Sequence, residues 1–448
     1  MSGTVHIRTY GCQMNVRDSD AAAALLELRG FRVVEEESEA DVILVNTCSV
    51  REKAEDKALG KLALLVATKR RRPDRLVGAI GCMVQRLGTE LIRRVPGLDF
   101  ALGPHREARL PDVIEAVRAG SGPVVDVAEV RVEPDGLPLH RAGTPLAFVN
   151  ILYGCNRRCA YCIVPAVRGR EWSRPAASIL DELRGLAQAG AQDVTLLGQS
   201  VMSYGRTNPV WPSDAPAGGR FREPLPRLLE AAGALGIPRL RFTSGHPAGC
   251  TDELIRVMAD APALCEHLHL PLQSGSDSVL ARMRRGYDVA TYRRAVTALR
   301  EAMPGFALTT DIIVGFPGET ESDFEKTRQV FNEIRFDNAF IFKYSPRAGT
   351  PAAAWPDDVS DADKRRRNRL LLDDQDRIGL ALHEPLIGRD LEVLAEGPSL
   401  RNAGRWSGRT RTNKIVIFEN PGTVRAGDRV QVRIGRVMPQ TLYGALTP

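Results

Sequence analysis

Nowhere in this chain does an uninterrupted apolar run approach the roughly 18 residues that a membrane-spanning helix requires, so no such span is expected. The opening stretch, MSGTVHIRTYGC, lacks a basic segment followed by an apolar one and runs directly into a strand pattern. No secretion signal is read there, and the expected compartment is the cytoplasm. No internal repeat or low-complexity tract is visible in the 448 residues. Lysine is scarce: only eight of the 61 basic residues are Lys. Arginine enrichment is therefore partly a bias of the whole chain and does not by itself signal guanidinium-specific contacts. Eight cysteines occur, and in a cytoplasmic protein of this size they are not expected to form a disulfide framework. Metal binding and core packing are the alternatives.

Hydrophobic content of 43% and charged content of 26% are those of an ordinary globular protein, and the length calls for two or three domains. The strands VHIRTYG (5–11), DVILVNT (41–47) and LVGAIG (76–81) alternate with helical stretches over 18–30, 51–70 and about 88–94. That alternation predicts a parallel α/β domain over residues 1–120. Residues 121–145, rich in Pro and Gly without an apolar period, read as a linker. Over 146–375 the pattern returns, with AFVNILYG, DVTLLG, RLRFTS, HLHLPL, ALTTDIIVG and NAFIFKY as strands of a partial or full (β/α) barrel. The stretch 205–226 reads as a surface insertion. Residues 384–448 hold short strands broken by Gly and Pro, which predicts a small OB-like β-barrel.

Charge is unevenly placed. Residues 397–448 carry nine Arg or Lys against two acids, +7, leaving −1 on the first 396 of a chain whose net charge is +6. A basic terminal barrel is the footprint expected of nucleic-acid binding.

Two cysteine constellations carry the chemistry. Cys155, Cys159 and Cys162 form a C-x3-C-x2-C run directly after the first strand of the barrel half. Three thiolates so spaced can hold three irons of a [4Fe–4S] cube, and no fourth Cys follows nearby, which leaves one iron open to a small molecule. A structural zinc site would want four ligands. Cys12, Cys48 and Cys82 each lie just past a different strand of the first domain. In a parallel sheet the carboxyl ends share one edge, so these three are expected to converge and hold a second cluster. Cys250 and Cys265 have no such context and read as packed thiols.

The C-x3-C-x2-C run resembles the hallmark of the radical S-adenosylmethionine (SAM) superfamily. Together with TYGCQMNVRDSD (9–20), NTCSVREKA (46–54), GCMVQ (81–85), YGCNRRCAYCIVPAVRGRE (153–171), RFTSGHP (241–247), HLPLQSGSDSVLARMRRGY (269–287), TDIIVGFPGET (310–320) and YSPRAGTPAA (344–353), it resembles the methylthiotransferase family almost end to end. The terminal barrel, with GRTRTNKIV (408–416), looks like a TRAM domain, an RNA-binding module. The resemblance implies two [4Fe–4S] clusters held by the six cysteines, and SAM bound at the open iron of the second. One SAM would methylate a sulfide on the N-terminal cluster; another would give the 5′-deoxyadenosyl radical that removes hydrogen from a substrate carbon. It implies Gln199, Ser244, Gln273, Ser274 and Asp311 as SAM contacts, with the hard chemistry carried by the cofactors. Arg168 and Arg170 could neutralise SAM's carboxylate or a tRNA phosphate, or be solvated; His246 and His269 read as structural.

The form YGCQMN resembles the branch acting at C2 of N6-isopentenyladenosine beside the tRNA anticodon. The alternatives are threonylcarbamoyladenosine in tRNA and an aspartate of a ribosomal protein. Ser200, Met202, Ala166 and Trp172 depart from the family pattern near the expected pocket, which leaves base preference open. The implied partners are the tRNA anticodon stem-loop and a flavodoxin- or ferredoxin-type reductant, with no membrane, and the expected state is a monomer.

Overall fold

The computed structural model describes residues 3–49, 52–128, 140–141, 143–212, 220–399 and 402–447. The first sheet holds β1 (Gly3–Thr9), β2 (Phe31–Val33), β3 (Val42–Thr47), β4 (Leu76–Gly81), β5 (Phe100–Leu102) and β6 (Val124–Asp126), all parallel, in the order β2-β1-β3-β4-β5-β6. Strands β3 and β4 are buried along their whole length, because helices cover both faces of the sheet. On one face Ala58, Leu62 and Leu65 of helix Glu52–Ala67 pack on Ile43, Val45 and Val77. On the other, Ala22 and Leu26 of helix Gln13–Leu28 and Val113 and Ile114 of helix Leu110–Arg118 pack on Leu44 and Ile80. The stretch expected to be a linker supplies β6. This three-residue edge strand is too short for any period to show in sequence; residues 129–139 and 142 lie outside the described ones.

All six strands expected in the central half are present: β7 (Leu146–Asn150), β10 (Asp193–Leu197), β11 (Arg239–Phe242), β12 (His267–His269), β13 (Ala307–Val314) and β14 (Asn338–Lys343). They form two three-stranded parallel sheets, linked by a bridge from Leu240 to Leu264, and make an open barrel with helices outside. A short antiparallel ribbon, β8 (Leu152–Tyr153) with β9 (Trp172–Ser173), closes the base of the loop that carries Cys155, Cys159 and Cys162. Of the expected insertion, residues 213–219 lie outside the described ones, and its end opens helix Pro224–Gly233.

The terminal barrel has five strands, β15 (Asp390–Ser399), β16 (Asn402–Arg409), β17 (Ile415–Phe418), β18 (Arg429–Met438) and β19 (Thr441–Leu446), closed in the order β15-β16-β17-β19-β18. Strand β16, NAGRWSGR, has no apolar alternation. It forms because β15 and β17 pair with it on both sides.

Cations from both sides dock the barrel on the central half. Arg239, 1% exposed, donates to the Arg409 carbonyl at 2.7 Å and to the Glu392 carboxylate at 2.8 Å. Arg241 donates to the carbonyls of Thr410 (3.0 Å) and Arg411 (2.6 Å). In return Arg411 pairs with Glu266 at 2.9 Å and Lys414 pairs with Asp337. Arg239, Asp193, Glu266 and Asp337 all stand at or just before the amino ends of central strands, so the barrel covers the end opposite the cysteines. Helix Asp361–His383 reinforces the joint. Leu371 and Ile378 enter the central core, and His383 Nδ1 donates to the Met438 carbonyl at 2.8 Å.

Candidate functional site

Register brings the first cysteine set together. Thr9 pairs with Asn46 and Thr47 with Gly81, so Cys12, Cys48 and Cys82 leave neighbouring strands at one edge. Cys12 is the N-cap of helix Gln13–Leu28, and Cys82 opens helix Cys82–Leu87. The loops are tied by a buried amide network. Asn15 Oδ1 accepts the Cys12 N–H at 3.3 Å, while Asn15 Nδ2 donates to Asn46 Oδ1 at 2.9 Å and to the Thr47 carbonyl at 3.0 Å. Asn46 Nδ2 donates in turn to Ser19 Oγ at 3.0 Å. Two glycines allow the close approach. Gly11 has φ 139°, and a Cβ there would stand 2.7 Å from Cys48 Cβ; Gly81 has φ 99°, and a Cβ there would stand 2.5 Å from the Thr47 carbonyl oxygen. Any side chain at either position would push two cysteine loops apart.

The second set sits at the carboxyl end of the central barrel. Cys155 and Cys159 are buried and Cys162 is half-buried. Ala160 N–H donates to the Met283 carbonyl at 3.0 Å and the Ala160 carbonyl accepts from Ala352, so the loop is pinned from two sides. Arg285 Nη1 donates to Cys159 Sγ at 3.2 Å, and its guanidinium lies over the Tyr287 ring. Arg157 Nε donates to Ser200 Oγ at 3.1 Å. His246 is driven down to about 3 by burial and by the charges of Arg157 and Arg285. Its Nδ1 accepts from Ala248 N–H at 3.3 Å, and its Nε2 lies 3.1 Å from the Arg285 carbonyl and 3.0 Å from Arg157 Nη1, so the ring is held on both sides.

The donor set suits a cationic sulfur-bound centre. Burial pushes the Cys162 thiol up to about 12 and the Cys82 thiol up to about 11, so each needs a positive charge beside it to ionise. Among the described residues no three His, Cys, Asp or Glu side chains crowd close enough to share a single ion. A cube whose irons each take one thiolate asks for a wider spacing. Gln199, just past β10, has both its amide nitrogen and oxygen buried without a partner, and Gln273 Oε1 is likewise orphaned. Such groups call for a polar ligand.

The five residues implied as SAM contacts do not all face one space. Gln199, Ser244 and Gln273 follow the carboxyl ends of β10, β11 and β12, with Ser244 at φ 59° and Gln273 at φ 69°. Asp311, on β13, stands 3.3 Å from His269 Nε2, and both share the concave side with Phe340, which is 44% exposed. Ser274 turns away. It is fully buried and its hydroxyl bonds Thr327 Oγ1 at 3.1 Å and accepts from Ser276 N–H, because the loop must close over helix Glu321–Ile334.

Arg168 is placed neither on solvent nor toward the second cysteine set. It is 3% exposed and reaches into the first domain, where Nε donates to Cys82 Sγ at 3.2 Å and Nη2 to Asp18 Oδ2 at 2.7 Å. Arg170 is exposed. A second buried cluster spans the same joint. Glu182 holds Arg174 at 2.6 Å, Arg17 at 3.3 Å and His140 at 2.6 Å, and these partners overcome the burial penalty to bring its carboxyl down to about 2. Met202 is buried with its sulfur accepting the His246 N–H at 3.1 Å, and Trp172 stacks on Tyr153. Sequence reasoning missed Asn15, Asn46 and Arg285. Each lies inside a stretch already matched to a signature, and the cue was a polar residue within a few positions of a cysteine or in the GY-ending motif.

Comparison with known families agrees with this layout. Residues 149–331 match the Radical SAM superfamily, 4–103 match Uncharacterized protein family UPF0004, and 386–447 match the TRAM domain. A Moorella thermoacetica protein named tRNA-2-methylthio-N(6)-dimethylallyladenosine synthase is 45% identical, over 99% of this chain and 98% of that one. One of the same name from Methylacidiphilum infernorum is 42% identical, over 98% and 94%. Among solved structures, the radical SAM methyltransferase TsrM from Kitasatospora setae, with cobalamin and a [4Fe–4S] cluster bound, shares the fold at TM-score 0.59 and 18% identity, over 79% of this chain and 77% of that one. The cobalamin-dependent SAM radical enzyme OxsB does so at 0.52 and 14%, over 84% and 56%.

Proposed function

The chain belongs to the family of tRNA-2-methylthio-N(6)-dimethylallyladenosine synthases, and from that premise we propose that it transfers a methylthio group to C2 of N6-isopentenyladenosine beside the tRNA anticodon. The observation that carries this reading is the pair of cysteine sets, each just past the carboxyl edge of its own parallel sheet. In this reading Cys12, Cys48 and Cys82 hold one [4Fe–4S] cluster, and Cys155, Cys159 and Cys162 hold another that binds SAM. Bound there, the clusters and SAM supply the one-electron chemistry and the sulfur group. The chain's own part is positioning and charge. Arg168 beside Cys82 favours the thiolate form of that buried sulfur, and Arg285 donates a hydrogen bond to Cys159 Sγ. Gln199, Ser244, Gln273 and Asp311 orient SAM, while Ser274 shapes the loop that holds Gln273. His269 and Phe340 line the concave face on which a planar base can rest.

The proposed units are 1–120, the linker 121–145, the radical SAM unit 146–375 and the terminal barrel 384–448, with helix Asp361–His383 joining the last two. A monomer in the cytoplasm, reduced by a flavodoxin or ferredoxin, completes the proposal. No described helix is long and apolar enough to cross a membrane.

Mass spectrometry of tRNA nucleosides from cells lacking the gene tests the substrate. The expected result is loss of the 2-methylthio form and accumulation of N6-isopentenyladenosine. Loss of methylthiolation on threonylcarbamoyladenosine instead would move the activity to that base.

RNA contacts by the barrel fall on the side away from the docked loop. Deleting residues 384–448 would also uncover the strand ends from which Arg239 and Arg241 hold the barrel, so point changes are the cleaner probe. Arg436 lies 4.5 Å over the Tyr443 ring, along a shallow cleft of about 500 Å³. An R436E/Y443A variant is expected to bind tRNA more weakly. Its slope of log affinity against log salt should be shallower by roughly 0.7–0.9 for each phosphate that the barrel no longer neutralises. Binding curves at several salt concentrations, with iron content unchanged, check it; an unaltered slope would place the RNA elsewhere.

A further inference from the structure

Arg168 belongs by sequence to the loop of the second cysteine set, yet its guanidinium is built into the first. Helix Val164–Arg168 carries it past the joint between the two sheets, and the side chain ends 3.2 Å from Cys82 Sγ through Nε and 2.7 Å from Asp18 through Nη2. The charge is all but removed from water, and Nη1 has no hydrogen-bond partner among the described residues. Burying a guanidinium with one donor idle costs stability, and a salt bridge to Asp18 alone does not require the fork to be turned toward a sulfur. Packing alone would be served as well by an apolar side chain of similar volume.

We propose that Arg168 is a positioning residue for the N-terminal cluster, supplied across the domain joint by the radical SAM half, and that it raises that cluster's reduction potential. The inference rests on the reading that Cys12, Cys48 and Cys82 hold a cluster. Its physical basis is direct. Reduction adds negative charge to a cluster, and a fixed positive charge with an N–H aimed at a ligating sulfur stabilises the reduced form more than the oxidised one. Low local dielectric enlarges the effect. Asp18 opposes it by balancing the guanidinium, so the two residues act on the potential with opposite sign. Asp18 is one residue from Arg17, which grips Glu182 of the radical SAM half at 3.3 Å. Helix Gln13–Leu28, capped by Cys12, thus fixes Asp18 in place relative to both halves.

The test uses the full-length protein with both clusters reconstituted anaerobically, in wild type, Arg168→Gln and Asp18→Asn forms, titrated by potential and followed by electron paramagnetic resonance. The N-terminal cluster is the signal that survives replacement of Cys155, Cys159 and Cys162 by alanine; the signal lost there is that of the SAM-responsive cluster. Burial and the charge of Asp18 lift the nearby Glu107 carboxyl, so the titrations are run below neutral pH, where it stays protonated in all three proteins. Arg168→Gln is expected to move the N-terminal potential to more negative values and Asp18→Asn to more positive ones, with the SAM-responsive cluster unmoved in both. A purely structural residue would give no shift, or shifts of the same sign in both variants, and either result overturns the inference. If Arg168→Gln fails to retain its N-terminal iron, the sign of the Asp18→Asn shift decides. Wild-type protein holding about four irons instead of about eight would overturn the N-terminal cluster itself, and this inference with it. Eight irons with unmoved potentials would overturn the inference alone.

Discussion

Replacing Cys155, Cys159 and Cys162 together by alanine is expected to remove half the iron and abolish formation of 5′-deoxyadenosine on reduction. Neither of the two remaining cysteines belongs to this loop: Cys250 packs against the central core, and Cys265 is buried just before β12, where its N–H donates to the Leu240 carbonyl. Without three thiolates a four-iron cube has too few anchors to persist. The loop itself should keep its course, because Ala160 is pinned by backbone bonds to Met283 and Ala352 rather than by sulfur. Iron analysis and chromatography of the reduced reaction mixture check this. Deoxyadenosine in that variant would mean that SAM is cleaved elsewhere.

Alanine at Cys12, Cys48 and Cys82 is expected to remove the other half of the iron, leave SAM cleavage largely intact, and stop methylthio transfer. The separation follows from the architecture. The two cysteine sets belong to different sheets, and each has its own buried network: Asn15, Asn46 and Ser19 around one, Arg285 and Tyr287 around the other. Loss of the first cluster leaves Arg168 facing alanine, but the pairs of Glu182 with Arg17 and Arg174 still hold the halves together. Deoxyadenosine without methylthiolated product is the expected signature. Full iron content in this variant would show that these cysteines are packing residues.

Much of this molecule was legible in one dimension. Local rules suffice where a signal depends on near neighbours: Cys155, Cys159 and Cys162 at three- and two-residue gaps, and the six central strands with their apolar runs. The parallel-sheet rule even let Cys12, Cys48 and Cys82 be joined across separations of 36 and 34 positions, because strand ends have only one edge to share.

What only the tertiary structure decided are the partners of charged side chains. Arg168, Arg170, Arg411 and Lys414 look alike in sequence. Folding buries Arg168 against Cys82, leaves Arg170 in solvent, and gives Arg411 and Lys414 to Glu266 and Asp337, 145 and 77 positions away. The strand β16 was hidden for a related reason, since its neighbours and not its own side chains make it a strand. Apolar periodicity is written by each element alone, whereas a long flexible cation takes its role from whichever carboxylate or sulfur the packing of distant elements brings within its reach.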